Sequence, residues 1–209
     1  MRLYDFALAP SPRRVHIFAA EKGIALETVN VDIRSGAHFK DEFRAVNPRC
    51  ALPVLELDDG TRIGESVAIC RYLEEINPEP PLMGTDARDK AVVEMWQRQV
   101  EFEGFMAVVE ALRNGAERLK DRAVIGPIPY AQIPELAARG RARIGQFFEM
   151  LDARLAESEF VAGDRFTIAD ITAMVTIDFA SRVEVTPPDS LAALKAWYER
   201  VSARPSASA

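Results

Sequence analysis

Asn47-Pro-Arg-Cys-Ala-Leu-Pro-Val-Leu-Glu-Leu-Asp-Asp-Gly-Thr-Arg-Ile-Gly-Glu-Ser66 decides more of the fold than any other stretch of this 209-residue chain. Val54 to Leu57 is a short apolar run, and Arg62 to Gly64 can pair back on it across Asp58-Asp59-Gly60, where glycine accepts a positive φ. The stretch therefore predicts a β-hairpin. Pro53 stands at the mouth of the first strand, where its missing N–H would interrupt a ladder, so the backbone there is expected to turn instead of pairing, with a cis Leu52–Pro53 bond as one way to do so. Glu65 and Ser66 then open a helical segment with Val67, Ile69, Cys70, Leu73 and Ile76 as its apolar positions, and its free N–H groups form a small anion site.

Working outward from this hairpin, Met1 to Phe6 reads as a first strand, and Ala7-Leu-Ala-Pro-Ser-Pro12 as a loop whose prolines forbid regular pairing. Val15, Ile17, Phe18 and Ala19 mark a helix that stops at Lys22-Gly23, and Glu27 to Val31 alternates as a second strand, completing a right-handed βαβ unit. Asp32 to Val46 is polar and mixed, anchored by Phe39 and Phe43, and predicts one irregular helix. The order β-α-β-α-β-β-α is that of a thioredoxin-like α/β domain. Asn77-Pro-Glu-Pro-Pro81 closes it as a stiff linker.

Everything beyond the linker is helical in pattern. Val92, Val93, Met95, Trp96, Val100, Phe105, Val109 and Leu112 recur at helical spacing, as do Leu136, Ile144, Phe147, Phe148, Leu151 and Leu155. Between them Val124 to Tyr130 is a proline-rich apolar loop, a wall for a pocket or a packing element. Thr167-Ile-Ala-Asp170 is a capping box, with Phe166 and Ile171 as the flanking apolar pair, so Asp170 is expected to serve structure and not chemistry. Leu191, Leu194, Trp197 and Val201 mark a last helix, and Ala203 to Ala209 a frayed tail. The expected boundaries are residues 1–80 for the α/β domain and 88–209 for the all-α C-terminal domain.

The bulk composition narrows the function classes. With 48% hydrophobic and 28% charged residues the chain can bury a core, and a net charge of −6 without a long Lys/Arg block argues against nucleic acid as a partner. Arg139, Arg141 and Arg143 read as a solvated helix face. Cys50 and Cys70 fit neither a disulfide framework nor a zinc spacing, so no metal is expected. No apolar run approaches the roughly 18 residues of a membrane helix and no apolar leader precedes the first strand, so a cytoplasmic protein is expected.

Leu52-Pro53 before a hairpin and Glu65-Ser66 at a helix start, together with Phe160-Val-Ala-Gly-Asp-Arg-Phe-Thr-Ile-Ala-Asp170, resemble the glutathione S-transferase family in its cytosolic, bacterial-like serine-type branch. The likeness runs from the first strand to the C-terminus. It implies that the Leu52–Pro53 turn pairs with the cysteinyl backbone of glutathione, that Glu65 and Ser66 hold its γ-glutamyl end, and that His38 contacts its glycine carboxylate. It implies glutathione as co-substrate, a small electrophile as the second substrate, and a homodimer.

The reaction requires a thiolate near neutral pH from a thiol of ordinary pKa about 8.5, so the site must offer sulfur a hydrogen bond or positive potential. In the serine-type branch the hydroxyl stands four positions before the residue matched to Arg13, which here is Ala9. Ser11, between Pro10 and Pro12, is the candidate thiolate donor; as a residue it reads equally as a helix N-cap before an N1 proline. Arg13 and Arg14 fall in the first turn, where the macrodipole disfavours cations. Arg13 is a candidate for a bound anion, and Arg14 is expected to extend into solvent. Ala51 occupies the place where relatives carry a longer polar side chain for the glycine carboxylate. The function expected is conjugation of glutathione to a small electrophile. The alternative is a non-catalytic binding protein of the same fold. A disulfide reductase is disfavoured by the lack of a cysteine in the first loop, and a maleylacetoacetate-type isomerase by the lack of a Ser-Ser-Cys run.

Overall fold

A computed structural model describes residues 1–209, which divide into two compact units. The first comprises Met1–Pro80 with Val124–Pro129 and Ala209, the second Pro81–Ala123 with Tyr130–Ser208.

In the first unit, β1 (Arg2–Asp5), β2 (Glu27–Asn30), β3 (Val54–Glu56) and β4 (Arg62–Gly64) form one mixed sheet in the order β2-β1-β3-β4. The β1–β2 pair is parallel, as the βαβ connection through α1 (Pro10–Glu21) requires, and the other two pairs are antiparallel. Leu3 sits opposite both Thr28 and Leu55. Because side chains alternate along β1, Leu3 and Asp5 are buried on one face. Helix α1 packs against α3 (Ser66–Ile76), and Leu3, Val15, Ile17, Phe18, Leu55, Ile69 and Leu73 are all fully buried. Tyr4 instead joins a second apolar cluster of Val31, Phe43 and Val54, with its ring edge-on to Phe43 at 6.2 Å.

One detail of this unit departs from the sequence expectation. Asp32 to Val46 is not one irregular helix but two 3-10 turns, Ile33–Ser35 and Ala37–Phe39, followed by the short α2 (Asp41–Arg44). Gly36 at φ 75° breaks the run in a left-handed conformation that helix cannot continue through. Lys22 caps the end of α1. Its side chain is fully buried, with Nζ 2.7 Å from Glu74 and donating to the carbonyls of Asn77 and Pro80 at 2.7 Å each. Asn77 returns a bond to the Lys22 carbonyl, so the linker is tied to both helices.

The second unit is all helical: α4 (Ala87–Gln99), α5 (Met106–Gly115), α6 (Pro134–Glu157), α7 (Ile168–Ala180) and α8 (Ala192–Ser202). Val100–Phe105, between α4 and α5, is wound as a π-helix. Helix α7 is buried almost throughout, which makes it the axis around which the others pack. Helices α5 and α6 approach closely at Gly140, where a β-carbon would stand 2.6 Å from the Ala111 nitrogen. Arg139 and Arg143, expected as a solvated face, both pair with Glu110 on α5, and Arg143 also donates to the Phe102 carbonyl. The C-terminal residues are not simply frayed: Pro205–Ser208 forms a 3-10 turn with Ser206 buried.

The capping box at the start of α7 is present. Asp170 accepts from the N–H and hydroxyl of Thr167 through one oxygen, and from the Val161 N–H and Trp197 indole through the other. Its complete burial outweighs these donors and pushes the carboxyl up to about 6. The four bonds join the end of α6, the start of α7 and α8.

Candidate functional site

The site lies in the first unit, at the mouth of the β3–β4 hairpin. Leu52–Pro53 is cis, and Pro53 is buried at the edge of β3, whose ladder begins at Val54. Neither the N–H nor the C=O of Leu52 has a hydrogen-bond partner within the chain. A backbone donor and acceptor are thereby presented side by side, as a strand edge presents them to an added strand. Across from them stands Glu65, at a positive φ of 65° just before α3. Asn47, Arg49, Ala51, Leu52, Pro53, Gly64 and Glu65 together line a cleft of about 250 Å³.

The loop that forms one wall is braced by Asn47. Its side-chain oxygen accepts from the Arg49 N–H at 3.0 Å and its amide donates to the Ala51 carbonyl at 2.8 Å, while its own carbonyl accepts from the Cys50 N–H. Cys50 takes φ 52° within this turn, and its thiol is buried away from the cleft. Asn47 and Arg49 carry no part in the sequence expectation, although an Asn-Pro pair before a tight loop is a turn signal that can be read.

The opposite wall connects to α1. Ser66, only 4% exposed, donates from its hydroxyl to the Ser11 carbonyl at 2.9 Å, fastening the start of α3 to the start of α1. Ser11 is not the N-cap that its position before Pro12 suggested. The helix begins two residues earlier, with Ala9 as the cap and Pro10 as the first helical residue. Prolines at 10 and 12 remove two N–H groups from this first turn, the Ala9 N–H is used by the Phe6 carbonyl, and the Arg13 N–H by the Ala9 carbonyl. What remains at this helix start is the Ser11 N–H together with the half-buried Ser11 hydroxyl, neither of which caps the helix. Arg13 is half-buried. Arg14, expected to extend into solvent, is 5% exposed and turned inward, near enough to Cys70 for its charge to oppose the effect of burial on that thiol. Burial still dominates and pushes the Cys70 thiol up to about 12. That is an unreactive sulfur.

His38 lies in the second 3-10 turn, half-buried and packed against Phe39 with ring centroids 3.9 Å apart and the rings tilted by 41°. Of the residues singled out from the sequence, the cleft brings Leu52, Pro53 and Glu65 together; Ser66 and Ser11 adjoin its far wall; His38 and Arg13 do not line it. No group of His, Cys, Asp or Glu side chains is arranged to hold a metal ion.

Comparison with known proteins agrees on one family. The family model for the glutathione S-transferase N-terminal domain matches residues 9–76, and that for the C-terminal domain residues 108–205. Glutathione S-transferase 2 of Saccharomyces cerevisiae is 35% identical over 99% of this chain and 87% of its own length, and glutathione S-transferase 3 of Zea mays 32% identical over 98% and 90%. Among solved structures, a glutathione S-transferase domain-containing protein of Marinobacter aquaeolei superposes with a TM-score of 0.89 at 38% identity, covering 99% of both chains. Gtt2 of Saccharomyces cerevisiae does so with a TM-score of 0.88 at 34% identity, covering 100% of this chain and 99% of the other.

Proposed function

The chain belongs to the glutathione S-transferase family, and from that premise we propose that it binds glutathione in the cleft beside Leu52 and conjugates its thiolate to a small electrophile. The observation that carries this reading is the Leu52 backbone, whose N–H and C=O stand unpaired beside Pro53 and opposite Glu65 in one cleft. An extended peptide can add to them as a further strand, placing its thiol side chain between the strand edge and the helix starts. The electrophile is not read from the cleft, because acceptor pockets are shaped by scattered apolar residues without a motif.

In this reading Ser11 offers the sulfur a hydroxyl and a backbone N–H at the positive end of α1, and both favour the thiolate over the thiol. The thiolate then attacks an electrophilic carbon, forming the C–S bond as the leaving group departs with the electron pair. Glu65 takes the ligand's ammonium, and Arg13 and His38 stand as outer candidates for its carboxylates.

Pairing of two chains is part of the proposal. Met95, Phe102 and Met106 recur at helical spacing along the α4–α5 run and are 47%, 58% and 44% exposed, an apolar stripe suited to a second copy. Both cysteines are free, which suits a reducing compartment such as the cytoplasm, and no helix is long and apolar enough to cross a membrane. Retention on immobilised glutathione, followed by turnover of a panel of electrophiles, tests the function. Binding with turnover is the expected result. Binding without turnover of any electrophile would leave a glutathione-binding protein and remove the catalytic reading.

A further inference from the structure

Asp5 and His16 meet behind the loop that carries Ser11. Asp5 is the last residue of β1, and His16 lies in the second turn of α1. His16 Nε2 stands 2.5 Å from Asp5 Oδ2, with the side chains 21% and 6% exposed, so solvent does little to loosen the contact. An ionised carboxylate only accepts, so the imidazole nitrogen carries the proton and the bond holds whether the ring is neutral or charged. Tyr4 pairs with Val54, which makes Asp5 and Pro53 the next residues along those two strands. The pair therefore stands at the end of the sheet that also carries the Leu52–Pro53 turn.

The segment between the two partners runs from Phe6 to Val15 and contains Ser11. Within it the Ala9 N–H is used by the Phe6 carbonyl, Pro10 and Pro12 have no N–H to give, and Ser66 holds the Ser11 carbonyl. Ala7 and Leu8 are exposed. A turn of this kind takes its position from its two ends. The strand end is fixed, because β1 is paired along both edges and the Asp5 carbonyl accepts from the Val31 N–H at 2.7 Å. The helix end is fixed through Val15 and Ile17, the fully buried neighbours of His16. The bond between Asp5 and His16 sets how the one end sits against the other.

We propose that His16 is a positioning residue for the conjugation reaction: by donating to Asp5 it holds the start of α1 against the end of β1 and keeps the Ser11 hydroxyl in place for the glutathione sulfur. The inference rests on the glutathione reading of the cleft and on Ser11 as the thiolate donor. His16 does not line the cleft and acts through Ser11. Misplacing a reacting or donor group by about 1 Å can cost up to about a hundredfold in rate. Binding of the peptide backbone at Leu52 does not pass through this clamp, so the effect falls on turnover and not on affinity.

A double-mutant cycle tests this, with kcat and the KM for glutathione measured on one electrophile well below the thermal midpoint of every variant. His16→Leu is expected to lower kcat roughly five- to tenfold while KM stays within about twofold. His16→Gln, whose amide can still donate to Asp5, should keep kcat within about twofold of the parent. In the Ser11→Ala background His16→Leu should cost nothing further, because no hydroxyl is left to position. His16→Leu strands the Asp5 carboxylate and lowers the thermal midpoint in both backgrounds alike. If it does not fold, Asp5→Ala combined with His16→Leu removes the stranded carboxylate and runs the same cycle. An equal fall in kcat in both backgrounds gives the pair a purely structural part and overturns the inference, as does a parent-like kcat in His16→Leu or in Ser11→Ala, with glutathione conjugation left standing. A parent that fails to bind glutathione, or binds it without turnover, overturns the functional reading and the inference with it.

Discussion

The hydroxyl of Ser66 donates to the carbonyl of Ser11 at 2.9 Å, joining two helix starts that are 55 residues apart in the chain. One wall of the cleft and the candidate thiolate donor are therefore one mechanical unit. Ser66→Ala leaves a carbonyl at the start of α1 without its partner and should cost about 1–2 kcal/mol of stability. If the bond positions Ser11, the variant also raises the pKa of bound glutathione, read from the ultraviolet absorbance of the thiolate. A change in denaturation midpoint with an unmoved thiolate pKa would assign Ser66 a purely structural part.

Ser11 is not a helix cap, so its substitution separates chemistry from folding more cleanly than the sequence suggested. Ser11→Ala should leave the thermal midpoint unchanged and lower turnover at neutral pH roughly ten- to a hundredfold, the equivalent of one hydrogen bond to a charged acceptor. The pH profile of conjugation should shift upward by a corresponding amount. Ala9→Ser offers the opposite test, since a hydroxyl at the cap position can restore what Ser11→Ala removes. A Ser11→Ala profile that overlays the parent would leave thiolate stabilisation to the Ser11 N–H.

Asp170 accepts from four donors in the interior of the helical unit, and its loss leaves all four unsatisfied. Asp170→Ala should destabilise the protein by more than a simple cap, about 3 kcal/mol or more, with the activity of the remaining folded molecules intact. Urea denaturation alongside turnover normalised to folded protein checks both halves.

The same carboxyl gives a pH dependence whose sign is fixed. Its folded pKa of about 6 lies above the ordinary carboxyl value of 3.8, so the folded state holds the proton more tightly. The resulting stabilisation is complete below about pH 4 and is lost as pH rises through about 6, amounting to roughly 3 kcal/mol at most. Denaturation midpoints for the parent and Asp170→Asn between pH 4 and 7 should therefore diverge in slope, with only the parent losing this contribution as pH rises. Parallel curves would mean that the four donors hold the carboxyl ionised throughout.

Cys50 and Cys70 are 2% and 1% exposed, and burial pushes the Cys70 thiol up to about 12. A disulfide-exchange reagent at pH 8 should titrate neither in the native protein and both after unfolding. Rapid labelling of Cys50 in the native state would show that the Asn47–Leu52 loop opens.

The elements that the sequence made legible are those whose cause is local. The hairpin follows from Asp58-Asp59-Gly60 between two short runs, the α7 start from Thr167 and Asp170 three residues apart, and the helical second unit from spacing alone. Turn chemistry, capping and periodicity act over a few residues, so a linear reading captures them. Where a local rule had two solutions it misled. Ser11 before Pro12 satisfies both the N-cap and the N1-proline rules, but Pro10 satisfies the N1-proline rule as well, and the contact with α3 accompanies the second start. Asp32 to Val46 read as a helix because its apolar anchors allowed one, whereas Gly36 at positive φ divides it.

Sequence by itself determined the thioredoxin-like order of elements, the turn at Leu52–Pro53, the all-helical second unit and the structural part of Asp170. Tertiary structure decided which side chains face the cleft. It buried Arg14 and Lys22 against α3 and the linker, engaged the Ser66 hydroxyl, turned Cys50 inward and set Arg49 opposite Glu65. These outcomes depend on residues separated by up to 58 positions meeting in space. A charged side chain goes where long-range partners compensate its desolvation, and no spacing along the chain encodes that.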